Sequence, residues 1–169
     1  PLLRAGLLQL GEQDHVLLRR GLFERDPDLF WKLKPGPNVE TPIAPGGLRV
    51  NDLGLRGPEW PRSPSPGNIR IVSLGDSCTF GWSVEENSAY PIVLGKDLRE
   101  RGLHVEVINA GVPGYTSLQG LRFLKGDLLA FRPRVVTLCF GWNELWPARG
   151  QPDVDRHTFR GDRYRGHQQ

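Results

Sequence analysis

Ser77, Gly111 and Asn143 are the residues of this chain whose types and settings fit one piece of chemistry, and each follows an apolar run. Ile69-Arg70-Ile71-Val72-Ser73-Leu74 leads into Gly75-Asp76-Ser77. Val105-Glu106-Val107-Ile108-Asn109-Ala110 leads into Gly111-Val112-Pro113-Gly114, and Arg134-Val135-Val136-Thr137-Leu138-Cys139-Phe140 leads into Gly141-Trp142-Asn143-Glu144. A serine hydroxyl can attack a carbonyl carbon. The oxyanion that forms needs preorganised donors, and losing one costs about a hundred- to a thousandfold in rate. A glycine N–H is approachable because no Cβ shields it, an asparagine carboxamide donates without adding charge, and the Ser77 N–H is a third donor. The chemistry these groups fit is acyl transfer.

The elements that must position them can be read from the same runs. Apolar, β-branched stretches that stop at glycine predict buried parallel strands, and open α/β sheets place their ligands beyond the carboxyl ends of such strands. Between the strands lie two helical stretches. Ser88 is the expected cap of a helix over about 89–101, with Pro91 in its first turn, Leu94 and Leu98 facing inward and Gly102 at its end. Thr116 or Ser117 caps the next, in which Leu118, Leu121, Leu124, Leu128 and Leu129 recur at helical spacing before Pro133. The alternation is βαβαβ, the grammar of a parallel sheet with right-handed crossovers.

The three blocks resemble those of the SGNH (GDSL-type) hydrolases, a family of esterases and lipases named for a Ser, a Gly, an Asn and a His in separate blocks. Gly75-Asp76-Ser77 matches the first, Asn109-Ala110-Gly111-Val112-Pro113-Gly114 the second and Gly141-Trp142-Asn143-Glu144 the third, with Glu144 where the family more often has Asp. The resemblance covers roughly residues 69–146. It implies Ser77 as nucleophile, Gly111 and Asn143 in the oxyanion hole, and a flavodoxin-like three-layer α/β fold. That fold carries about five parallel strands in the order 2-1-3-4-5. Only three are visible here, so the expected fold is incomplete and the strand at 134–140 is an unpaired apolar edge. An α/β-hydrolase elbow is excluded, because Gly-x-Ser-x-Gly would need glycine where Thr79 stands. Nucleotide binding is disfavoured: neither a Gly-x-Gly-x-x-Gly spacing nor a P-loop Lys-Ser/Thr is present.

The family's fourth block, a histidine with an aspartate three residues before it, has no match. Serine needs such a base. The downstream histidines are His157 and His167, preceded at that spacing by Val154 and Tyr164. Two expectations follow: the base lies on a segment beyond this chain, or His157 serves with Asp153 or Asp155, since a triad is defined by geometry rather than by order in sequence.

The chain has 169 residues, enough for one domain, and a formal net charge of +3. Five Arg and three Asp between Arg149 and Gln169 supply +2 of it, so the basic balance is no nucleic-acid footprint. The two cysteines make no disulfide framework: Cys139 is expected inside a buried strand, and Cys78, with no basic neighbour, is expected to be unreactive. No metal-ligand spacing is present, and the inferred chemistry needs no cofactor. No stretch reaches the roughly 20 apolar residues of a membrane span, and the apolar opening at Leu2–Leu10 lacks a signal-peptide cleavage pattern. The chain starts at Pro1, so its true N-terminus is expected to lie upstream and its compartment is unassigned.

Three segments are expected. Residues 1–67 form an N-terminal extension: a weak helix, then a Pro-rich β appendage and a linker from Pro61 to Gly67, with eight of the fifteen prolines between Pro35 and Pro66. Leu29–Leu33 alternates, and Gly47–Val50 and Leu53–Arg56 flank a turn at Asn51-Asp52. The segment Leu53–Glu59 also resembles stretches before the first block in some bacterial family members. Residues 68–148 are the hydrolase-like core, and 149–169 a polar tail. Trp82, Tyr115, Trp142 and Trp146 lie near the blocks and are candidates for stacking on an acyl chain or a sugar. The sequence thus reads as a serine ester hydrolase acting on small-molecule or carbohydrate esters. An O-acyltransferase and a non-catalytic binding module on the same fold remain as alternatives.

Overall fold

The computed structural model describes residues 22–41 and 44–145. Three parallel strands form its centre: β5 (Ile69–Gly75) lies between β6 (Val105–Gly111) and β7 (Val135–Cys139), in the order β6-β5-β7. This is the 2-1-3 portion of the flavodoxin-like order. The alternation of β5 and β6 sorts their side chains onto two faces. Ile71, Val105 and Val107 pack with Leu98 of the helix α2 (Tyr90–Glu100), while Val72, Leu74 and Ile108 join Phe123, Leu128 and Phe131 on the other face. Helices therefore cover both faces, giving three layers.

Helix α1 (Ser77–Phe80) is a single turn directly after β5, and α3 (Ser117–Gly126) follows β6. A capping box starts α3: Thr116 and Gln119 satisfy each other's end of the chain. Two expectations about helices fail. Ala89, not Ser88, is the N-cap of α2, because Ser88 closes a 3₁₀ turn at Glu86–Ser88. The buried face of α3 is Gln119, Gly120 and Phe123, with Leu124 against the core; Leu121 is exposed, and Leu128 is buried from a separate 3₁₀ turn, Leu128–Phe131, because α3 ends at Gly126. Phe123 meets the Tyr115 ring edge to face, ring centroids 6.1 Å apart.

Among the described residues strand β7 pairs with β5 alone and forms the edge. Leu138 and Cys139 are exposed there, so the expectation that Cys139 is buried is also overturned. An edge strand has neighbours on one side only.

The N-terminal segment contributes two antiparallel hairpins, β1 (Phe23–Asp26) with β2 (Phe30–Leu33), and β3 (Gly36–Thr41) with β4 (Ala44–Val50). Asn51 closes the next turn, its side-chain oxygen accepting the Leu53 and Leu55 N–H groups. Leu29, Leu33, Leu48, Val50 and Leu55 belong to the same core cluster as Val72 and Ile108. The stretch 61–65 is tied down by one buried ion pair. Arg70 of β5 pairs with Glu106 of β6 and donates to the carbonyls of Pro61, Arg62 and Ser63, while Glu106 accepts the Ser65 N–H.

Candidate active site

The site starts from strand register. Gly75 sits opposite Gly111 on one side and Cys139 on the other, so all three strands stop at one edge of the sheet. Ser77, the 112–115 turn and Asn143 emerge just past that edge.

Ser77 is the first residue of α1 and is half-buried. Asp76 precedes it, 2% exposed, and its carboxylate caps the turn by accepting the Cys78 N–H at 2.9 Å. Asp76 N–H donates to Cys139 O at 3.3 Å, pinning the entry of the turn to β7. The Ser77 N–H has no acceptor among the described residues. The turn lies very close to the sheet: a Cβ at Gly111 would overlap the backbone of Thr79 and Phe80, and one at Gly75 the Thr79 side chain. Both positions need glycine for this approach.

The far end of α1 is held by Arg56, a residue that motif reasoning passed over. Its guanidinium, 2% exposed, donates to Phe80 O at 2.8 Å, Gly81 O at 2.6 Å and Val84 O at 2.7 Å. Burial pulls its pKa below the ordinary arginine value, against the opposing pull of Glu86. The one sequence signal was its place in the Leu53–Glu59 segment.

The donor expected at Gly111 is engaged elsewhere. Its N–H donates to Asn109 Oδ1 at 3.0 Å, and Asn109 Nδ2 in turn donates to Phe80 O at 3.2 Å. Gly114, three residues on, differs: it is exposed, has φ of +84°, and its N–H has no acceptor among the described residues. A positive φ is the reason glycine suits this turn. The spacing alone could not separate the two glycines of Gly111-Val112-Pro113-Gly114.

Asn143 lies in a 3₁₀ turn, Trp142–Leu145, and is half-buried. Its Nδ2 donates to Tyr115 O at 2.9 Å, next to Gly114 in sequence, and the second hydrogen of the amide has no acceptor among the described residues. Glu144 Oε1 accepts the Ser117 N–H at 2.5 Å. Consecutive residues of the third block therefore grip both ends of the short stretch between the 112–115 turn and α3.

The aromatic candidates separate. Tyr115 is fully buried; its hydroxyl donates to Trp31 O at 2.7 Å, and burial raises its pKa far above the usual phenol value. It is a wall of the core and has no free face for stacking. Trp82 is partly buried, 6.1 Å from the Phe80 ring. Trp142 is 65% exposed and presents a ring to solvent. Trp146, and the residues weighed as base, His157, Asp153 and Asp155, lie outside the described residues. Partial burial and the Asp76 carboxylate push the Cys78 thiol pKa up, which favours the neutral thiol beside Ser77. Among the described residues no three His, Cys, Asp or Glu side chains converge as metal ligands, and no helix is long and apolar enough to cross a membrane.

Comparison with known proteins adds the following. The profile of the GDSL-like lipase/acylhydrolase family matches residues 73–166. Thioesterase 1/protease 1/lysophospholipase L1 of Escherichia coli (strain K12) is 33% identical over 91 residues, 53% of this chain and 41% of that protein. Among solved structures, AlinE4, an SGNH-hydrolase family esterase, is 30% identical over 54% of this chain and 49% of its own, with a TM-score of 0.45. The lipase/acylhydrolase from Enterococcus faecalis is 34% identical over 45% of this chain and 40% of its own, with a TM-score of 0.37. The chain thus spans about two fifths of the length of the curated relative and no more than half of these solved chains.

Proposed function

The chain belongs to the GDSL-like lipase/acylhydrolase family, and from that premise we propose that it cleaves carboxylic esters through an acyl-enzyme on Ser77. The Ser77 Oγ attacks the acyl carbonyl carbon as its proton passes to a histidine. The carbonyl π pair moves onto oxygen, and the oxyanion is held by the Ser77 N–H, the Gly114 N–H and the second hydrogen of Asn143 Nδ2. Gly114 takes the role expected of Gly111, whose own N–H is on Asn109. Collapse breaks the C–O bond, the alcohol leaves with the proton from the histidine, and water then releases the acid by the same steps in reverse.

The histidine is the one part for which this sequence offers no family-like block. It holds no Asp-x-x-His, and His157 with Asp153 or Asp155 is the pair that lies within the matched stretch. The acyl group and alcohol belong to a small molecule or a carbohydrate ester, with the exposed Trp142 ring as a surface for either.

The observation that carries this reading is the shared edge. Gly75, Gly111 and Cys139 are in register, and Asn143 reaches across to Tyr115 O. That puts the hydroxyl-bearing turn, the glycine turn and the carboxamide at one end of the sheet. The test is release of 4-nitrophenol from 4-nitrophenyl acetate by the intact protein and by Ser77→Ala. Loss of turnover in the variant supports the reading. Equal rates would remove Ser77 from the mechanism.

A further inference from the structure

The β1–β2 hairpin lies outside the stretch matched by the family, 73–166, yet it is bonded to the turn that carries Gly114. Trp31 Nε1 donates to Pro113 O at 3.2 Å, and the Tyr115 hydroxyl donates back to Trp31 O at 2.7 Å. The two rings meet edge to face, centroids 5.9 Å apart. Behind them Gln119 Nε2 donates to Leu29 O at 2.8 Å. The indole also lies against Gly114 itself: a Cβ there would come 3.1 Å from Trp31 Cζ2.

The bond to Pro113 O matters because of what lies at the other end of that group. The Pro113 carbonyl and the Gly114 N–H belong to one planar peptide, and no peptide bond of the described chain is cis. In a trans peptide the C=O and N–H point in opposite directions. Gripping the oxygen therefore fixes the direction of the N–H. A donor on the carbonyl also polarises the N–H of the same unit and strengthens it as a donor. The ends of the turn are fixed by the Tyr115 N–H on Val112 O at 3.1 Å and by Asn143 on Tyr115 O, but neither bond holds the central Pro113–Gly114 peptide, whose plane can rotate with little steric penalty because the second residue is glycine.

We infer that Trp31 is a positioning residue for the reaction, orienting the Pro113–Gly114 peptide so that its N–H is presented to the oxyanion. This rests on the proposed Ser77 ester chemistry. Trp31 acts through the peptide and needs no contact with substrate. The N-terminal hairpin is then an accessory part of the active site.

The experiment compares wild type, Trp31→Phe and Ser77→Ala as intact proteins, with kcat and KM on 4-nitrophenyl acetate, the inhibition constant of a simple alkyl boronic acid as a tetrahedral mimic, and thermal melting. Phe keeps a ring over Gly114 and lacks the N–H. Misdirecting a donor costs less than deleting one, so kcat falls about tenfold and boronate binding weakens about equally, with KM nearly unchanged. Unchanged kcat and boronate affinity would overturn the inference and leave Trp31 as packing alone. If Trp31→Phe does not fold, site-specific 3-benzothienylalanine, which has the indole's shape without its N–H, gives the same two outcomes. Ser77→Ala separates the levels. If it still turns over, the ester-hydrolase reading falls and the inference with it. If it is dead while the Trp31 variants match wild type, only the positioning role falls.

Discussion

Asn109 and Gly111, two residues apart on β6, are joined side chain to main chain, with Asn109 Oδ1 accepting the Gly111 N–H at 3.0 Å. The other end of the carboxamide donates to Phe80 O, so Asn109 straps the end of β6 to the turn that carries Ser77. It is 2% exposed. Asn109→Ala leaves the buried Gly111 N–H unpaired, while Phe80 O keeps the Arg56 guanidinium, and a buried unpaired group costs about 1–3 kcal/mol. Urea denaturation should show a loss of about 1–3 kcal/mol at unchanged m-value.

Gly111 and Gly114 should fail differently when given a methyl group. At Gly111 the new Cβ overlaps backbone atoms of Thr79 and Phe80, which cannot rotate away. Gly111→Ala is expected to cost about 3 kcal/mol, at the upper end for overpacking, and to displace α1. At Gly114 the new Cβ meets the Trp31 ring at 3.1 Å and the φ of +84° becomes strained, at about 1–2 kcal/mol. Gly114→Ala should therefore stay folded and lose turnover, as read by melting and ester hydrolysis side by side. A folded, fully active Gly114→Ala would return the donor role to another group.

Glu106 sets a pH limit. Burial alone would raise its pKa, but hydrogen bonds from Ser65, Arg70 and Asn68 outweigh that and hold it at about 2. A carboxylate whose folded pKa lies below its unfolded value of 4.5 stabilises the fold fully above that value, and loses its contribution as pH falls toward 2. Denaturation midpoints should fall across this window, and Glu106→Gln should flatten the slope while lowering stability at neutral pH. Arg70→Ala strips the partner from a buried charge and should cost about 3–5 kcal/mol.

Glu144 is expected to act on Asn143 through geometry. Its carboxylate accepts the Ser117 N–H while Asn143 holds Tyr115 O. Glu144→Ala removes a partner from the first turn of α3, worth about 1 kcal/mol, and frees the 3₁₀ turn that carries the carboxamide. The expected result is a small change in melting with a larger fall in kcat. Glu144→Gln, which keeps an acceptor oxygen, should recover most of the rate.

What the sequence disclosed was the local grammar. Runs such as Ile69–Gly75 and Val105–Gly111 are β-branched, end at glycine and become the two strands buried between helices. The turn residues Asp76 and Thr116 have the side chains that caps require. The rest depended on distant contacts. Trp31 and Pro113 are 82 residues apart, and no spacing rule links a hairpin tryptophan to a turn carbonyl. Phe123 carries the buried face of α3 with an edge contact on Tyr115, and Leu128 of the leucine stripe reaches the core from a separate 3₁₀ turn. Cys139 is apolar in setting but sits on an edge, and edges are a property of sheet order. Gly111 and Gly114 share one motif, and hydrogen-bond partners separate them.

The most direct test of the account is intact-mass spectrometry of the protein after brief exposure to a fluorophosphonate ester, followed by peptide mapping. Serine displaces fluoride and keeps the phosphonyl group. The account predicts a single adduct on the peptide containing Ser77, absent from Ser77→Ala. No adduct, or one that persists in Ser77→Ala, would contradict it.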